Sequence, residues 1–278
     1  MKRLAHISDL HFGAADPRLV LALDEDLDEF EPDLMVVTGD LSRHARPHEF
    51  EQARGFLDGL PYARVVVPGN NDIAPPYRPL ARLFNPYGRY TDFFPQTLNS
   101  FFADDQMLVI GLNTVHPLRW TEGTLSLEQV DWIEQLTQRH PEKFHVVAAH
   151  HPLKHVAEPP LEPELTSGET LLHRLERAGV DLVLTGQLEG DHGTPPGRPF
   201  GVSESILLAQ ASTGTTLNPR WPLNAYNRIT LGGANVHIEL RAYCDDRFTC
   251  ISIGNYERRF GRWRPMVPET PGPFRATL

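Results

Sequence analysis

Leu4-Ala5-His6-Ile7-Ser8-Asp9-Leu10-His11-Phe12-Gly13 carries a short apolar run directly into a carboxylate, an imidazole and a glycine where the chain must turn. Residues i and i+2 of an extended chain point to the same side, so Asp9 and His11 can converge on one point. A carboxylate oxygen and an imidazole nitrogen are natural ligands for a borderline divalent cation. Alone, Asp-x-His reads more readily as a strand-end histidine beside a capping aspartate. Its weight comes from recurrence downstream.

Asp16-Pro17 reads as an N-cap followed by proline at the first helical position. Val20, Leu23, Leu27 and Phe30 then repeat at helical spacing, with acidic residues on the other face, until Pro32. Leu34-Met35-Val36-Val37 is a buried strand ending in Thr38-Gly39-Asp40. A second helix from Pro47 buries Phe50, Ala53, Leu57 and Leu60, and the strand Arg64–Val67 runs into Pro68-Gly69-Asn70-Asn71-Asp72. Strand and helix alternating in this way predict an α/β sheet with parallel crossovers. Residues 73–99 are rich in proline and aromatics and read as an irregular segment pinned by its own rings, or as a wall beside a site.

Met107–Leu112 and Phe144–Ala149 are further strands, the latter ending in His150-His151. Capping boxes are expected at Ser126/Gln129 and Thr166/Glu169. Asp181–Leu184 ends in Gly186-Gln187-Leu188-Glu189, after which the pattern becomes all-β through about Gly254. No internal repeat or linker interrupts the chain, so residues 1–278 read as one domain with a basic, aromatic tail from about Glu257, closed by Phe260 and Trp263.

The 278 residues carry a formal net charge of -10, which argues against a general duplex-binding surface but not against a small phosphate site. No stretch approaches the roughly 20 apolar residues that span a bilayer, and the amino terminus lacks a signal-peptide pattern. With only Cys244 and Cys250 present, no disulfide framework is implied and a cytoplasmic location is expected. These two cysteines read as ordinary strand residues or as a pair facing each other across Asp245-Asp246.

Five strands thus deliver polar groups at their carboxyl ends: Asp9 and His11, Asp40, Asn70, His150, then Gln187 and Glu189. Open α/β sheets bind ligands at those ends, so the groups can meet. The series resembles the motif string of the calcineurin-like metallophosphoesterases: D-x-H, G-D, G-N-H-D or E, a lone H, and G-H-x-H. Asp9-Leu10-His11 and Gly39-Asp40 match intact. Gly69-Asn70-Asn71-Asp72 and Gly186-Gln187-Leu188-Glu189 are altered, and His150 fits the lone histidine.

The resemblance implies a two-sheet β-sandwich flanked by α-helices, a four-layer αββα arrangement within the α/β class. It implies two divalent ions, drawn from Mn, Fe, Mg or Zn. Asp9, His11, Asp40 and Glu189 would hold one; Asp40, Asn70, His150 and Gln187 would hold the other. Asp40, Asn71, Asp72 and His150 occupy the family's catalytic positions. The implied activity is metal-dependent hydrolysis of a phosphodiester, phosphomonoester or pyrophosphate bond in a small phosphorylated substrate, through a water activated by the dinuclear centre.

The departures have consequences. Asn71 stands where the family has a histidine and cannot deliver a proton near neutral pH. Gln187 offers a neutral amide, which weakens the second metal, whereas Glu189 is a hard ligand favouring Mn, Mg or Fe over Zn at the first. His151 and His192 lie close enough in sequence to stand in for the missing imidazoles. The alternative is an attenuated or inactive phosphate- or metal-binding protein on the same scaffold.

Overall fold

The computed structural model describes residues 1–95, 98–151, 171–186, 200–203, 205–216 and 223–266. The chain opens with β1 (Lys2–Ile7), α1 (Pro17–Phe30), β2 (Leu34–Thr38), α2 (Pro47–Gly59) and β3 (Arg64–Val67). After a 3-10 turn at Asn70–Asp72 come α3 (Pro79–Phe84), α4 (Gly88–Phe93), β4 (Ser100–Ala103), β5 (Met107–Leu112), β6 (Val115–His116) and β7 (Arg119–Gly123). Next are α5 (Leu127–Arg139), β8 (Phe144–Ala149), α6 (Leu171–Arg177) and β9 (Leu182–Thr185). The end is all-β: β10 (Phe200–Ser203), β11 (Ile206–Gln210), β12 (Ala225–Gly232), β13 (Asn235–Cys244), β14 (Arg247–Arg259) and β15 (Arg262–Pro265).

Two mixed sheets result, ordered β15-β14-β13-β12-β1-β2-β3 and β10-β11-β9-β8-β5-β4, with β6-β7 as a separate ribbon. β1, β2 and β3 are mutually parallel, as are β5, β8, β9 and β11. Their near-continuous apolar sequences follow from burial on both faces. Leu34 and Val36 of β2 face a core between the sheets, together with Val109, Val146 and Leu184 from the other sheet. The alternate residues Met35 and Val37 pack beneath Leu23, Leu27, Phe50 and Leu57 of α1 and α2. On the far side Ile110, Val147 and Val183 meet Val130, Ile133 and Leu175 of α5 and α6. The period-2 pattern thereby builds the expected helix–sheet–sheet–helix layering.

Local signals act as read. Asp16 caps α1 by accepting from the Arg18 N–H, and Ser126 and Gln129 form the box that starts α5. The Thr166/Glu169 box lies outside the described residues. Tyr90, Phe93 and Phe94 of the aromatic stretch do pin it to the core, where Phe93 stacks on Phe50 at 5.7 Å; Tyr77 and Phe84 are exposed.

Two expectations are corrected: Phe260 does not pack the closing segment, and Asp26 does not lie on a solvent face. Residues 257–265 complete the β14–β15 hairpin, in which Arg258 registers against Trp263. Trp263 is buried beside Phe144, whereas Phe260 sits at the exposed turn. Cys244 and Cys250 register against Arg247 and Arg241, so they are the ordinary strand residues expected and do not face each other. Asp26, on the supposed solvent face of α1, is buried against Arg228 and Arg241. Among the described residues no helix is long and apolar enough to cross a membrane.

Candidate metal centre

Immediately after β1 and β2 the chain leaves extended geometry. Asp9, His11 and Asp40 have φ of 53°, 44° and 51°, the left-handed region that non-glycine residues rarely occupy. Each such residue costs on the order of 1–3 kcal/mol and persists only where its surroundings fix it. Here they do: Asp9 N–H donates to Gly39 O at 3.0 Å, His11 N–H to Asp40 O at 2.9 Å, and Phe12 N–H to Leu41 O at 2.9 Å. The two loops therefore run side by side and turn three side chains inward.

Those side chains form a buried group. One donor atom from each of Asp9, His11 and Asp40 lies within 4.8 Å of the others. His11 Nε2 is 3.7 Å from Asp9 Oδ1 and 3.9 Å from Asp40 Oδ2. Two carboxylates and an imidazole, all out of water, suit a divalent cation and would otherwise be costly to hold together. Burial, reinforced by Arg43 and His150 against the pull of Asp9, lowers the His11 pKa to about 4 and keeps its ring a neutral donor. Burial raises the Asp40 pKa well above the carboxylate range; the Asp9 and Asp72 charges add to this and His150 opposes it.

The second sheet contributes His150 from the end of β8. Its Nδ1 meets the Thr38 carbonyl at 2.7 Å, so Nε2 faces Asn70 Oδ1 at 3.0 Å and Asp40 Oδ1 at 3.6 Å. An imidazole fixed through Nδ1–H to a backbone carbonyl presents Nε2 as a ligand. A lone pair on Nε2 pointing at an amide oxygen is relieved by a cation or by a second ring proton. Burial disfavours that proton, but the carboxylates of Asp40, Asp9 and Asp72 outweigh it and raise the His150 pKa.

Close approach makes two glycines necessary. A Cβ on Gly39, whose φ is +90°, would come within 2.6 Å of His150 Nδ1, and one on Gly69 would overlap Asp40 Oδ1.

The altered third motif is placed clearly. Asn71 donates its N–H to Asp40 Oδ1 at 2.8 Å and its side-chain amide to Asp40 Oδ2 at 2.7 Å. Asp72 is fully buried and accepts from the N–H groups of Leu41, Ser42 and Gly69 and from Ser42 Oγ. Its carboxylate ties the β2 loop to the β3 loop. His151 does not join the Asp9–His11–Asp40 group; its Nδ1 meets Thr114 Oγ1 at 2.8 Å and its ring stands edge-on to His150. Gln187, Glu189 and His192 lie outside the described residues. Arg43, which belongs to none of the motifs, bonds Phe12 O through its N–H at 3.0 Å, next to His11.

The sequence model of the calcineurin-like phosphoesterases matches residues 2–186. A glycerophosphodiester phosphodiesterase of Enterobacter lignolyticus is 27% identical over 186 residues, 63% of this chain and 66% of that protein. A 3',5'-cyclic-nucleotide phosphodiesterase of Nostoc is 26% identical over 160 residues, 54% of this chain and 56% of its own. The match thus spans less than two thirds of either relative. Among solved structures, a purple acid phosphatase from yellow lupin superposes with a TM-score of 0.64 at 14% identity, covering 93% of this chain and 54% of the phosphatase. That likeness concerns the fold. The strand-end carboxylates and histidines therefore belong to a known family scaffold, one whose members bind divalent metals, and this chain is a member of the calcineurin-like phosphoesterase family.

Proposed function

We propose that the protein is a metal-dependent phosphoric ester hydrolase that cleaves a phosphodiester, phosphomonoester or pyrophosphate bond in a small phosphorylated molecule. The observation that carries this reading is the convergence of Asp9, His11 and Asp40, each in a left-handed conformation, on one buried point. Asp9, His11, Asp40 and Glu189 would hold one ion; Asp40, Asn70, His150 and Gln187 would hold the other. Divalent ions bound there supply a more acidic water and neutralise charge on the transferring phosphoryl group.

The protein's own residues aim and support that centre. Asp40 is shared by both ligand sets, and Asn71 fixes its carboxylate through two hydrogen bonds. His150 is oriented by Thr38, which links the second sheet to the first. Asp72 acts as a positioning residue, because its oxygens already accept from three main-chain N–H groups. A small phosphorylated substrate, a single-domain chain and a cytoplasmic setting complete the reading.

One observation favours the alternative of an attenuated phosphate- or metal-binding protein. The Asn71 amide bonds Asp40 where the family motif has an imidazole, so this position supplies no general acid. Hydrolysis of bis(p-nitrophenyl) phosphate as a function of added Mn separates the two. Metal-dependent turnover supports the enzyme; metal binding without turnover supports the alternative.

A further inference from the structure

Arg43 stands one residue beyond the Phe12–Ser42 bridge that joins the two ligand loops, with its N–H bonded to Phe12 O at 3.0 Å. The main chain around it is held closely. Leu41 and Ser42 donate to Asp72, Ala45 N–H donates to Ser42 Oγ, and His44 and Arg46 donate to Glu49 Oε2. Arg89 reaches the Ala45 carbonyl at 2.7 Å.

The Arg43 guanidinium, by contrast, is half-buried and makes no hydrogen bond or ion pair among the described residues. In a chain with 36 acidic and 26 basic side chains, a partly desolvated arginine without a carboxylate partner among the described residues is notable. Residues 43–48 read Arg-His-Ala-Arg-Pro-His, and the neighbouring Glu49 is buried with one oxygen on backbone N–H groups. Residues 43–48 thus carry two arginines and no carboxylate. The Arg43 N–H bond to Phe12 and the Phe12–Ser42 bridge place residue 43 in the loop running beside His11.

We propose that Arg43 is a substrate-anchoring residue that binds a second anionic group flanking the scissile phosphate, which makes phosphoric anhydrides the preferred substrate class. A guanidinium offers paired donors matched to phosphate oxygens, and residue 43 sits in the loop bridged to the one that carries Asp9 and His11. The inference agrees with Asn71, since a phosphate leaving group departs without a proton donor. It rests on the phosphoesterase reading for its chemistry.

Calorimetry of Mn-loaded protein, with matched metal blanks, compares methylenebisphosphonate, a non-hydrolysable pyrophosphate mimic, with inorganic phosphate. The unaltered protein is expected to bind the bisphosphonate tighter by about tenfold or more. Arg43→Ala erases that preference and Arg43→Lys restores part of it, with thermal melts confirming that each variant folds. Equal binding of the two ligands by the unaltered protein, or a preference that survives Arg43→Ala, overturns the proposal. If the preference follows Arg43 while neither pyrophosphate nor bis(p-nitrophenyl) phosphate is hydrolysed, the anchor stands and the phosphoesterase reading falls.

Discussion

Asn71 grips Asp40 twice, through its main-chain N–H at 2.8 Å and its side-chain amide at 2.7 Å. This orients the carboxylate shared by both proposed ion sites, but it leaves the leaving-group oxygen without a proton donor at that position. General acid catalysis contributes about 10²–10⁴-fold where the leaving group is basic. Hydrolysis is therefore expected to favour aryl ester and anhydride bonds over simple alkyl phosphates, and Asn71→His is expected to narrow the gap. A leaving-group series under conditions where chemistry limits the rate checks this; a flat series contradicts it.

Asp72→Ala strips the acceptor from the buried N–H groups of Leu41, Ser42 and Gly69. Each unsatisfied buried donor costs about 1–3 kcal/mol, so a loss of roughly 3 kcal/mol or more is expected in urea unfolding. Asp72→Asn keeps one acceptor oxygen and is expected to lose less. Equal stability of Asp72→Ala and the unaltered protein contradicts the positioning role.

Asp26→Ala removes the carboxylate that Arg228 approaches at 2.9 Å and Arg241 at 2.6 Å. It leaves two largely buried guanidinium groups beneath α1 without that partner. The expected cost is about 3–5 kcal/mol, read as a lowered unfolding midpoint.

The same residue shows where the sequence stops being legible. The strands and α1 could be read because burial imposes local periodicity, and the Asp9–His11–Asp40 group because its donors follow strand ends. Asp26 looked like one more acidic position on an exposed face; its partners lie more than 200 residues away on β12 and β13, and no local pattern encodes that pairing. The β14–β15 hairpin was missed for a similar reason. Its arginines suggested a basic tail, yet Arg258 bonds buried Asp181 at 2.7 Å, a contact across 77 positions. Arg43 belongs to no motif and acquires significance only when the Phe12–Ser42 bridge brings it beside His11.

His6 provides a pH test that does not involve the metal ligands. It is buried, its Nε2 meets Thr38 Oγ1 at 3.0 Å, and its Nδ1 receives the Asn227 amide at 3.1 Å. Burial lowers its pKa from 6.5 to about 3. Between these values the unfolded chain binds a proton that the folded protein refuses. Stability is therefore complete above about pH 6.5 and falls on acidification, with a slope from this group of up to about 1.4 kcal/mol per pH unit. His6→Gln is expected to flatten the profile in that window. An unchanged slope contradicts the assignment.

Metal-dependent hydrolysis of bis(p-nitrophenyl) phosphate by Asp40→Asn, compared with the unaltered protein across a Mn titration, tests the central claim most directly. Asp40 is the donor common to both proposed ion sites, so Asp40→Asn is expected to abolish metal-dependent turnover while its circular dichroism stays unchanged. A folded Asp40→Asn protein with full activity and the same metal response would contradict the account.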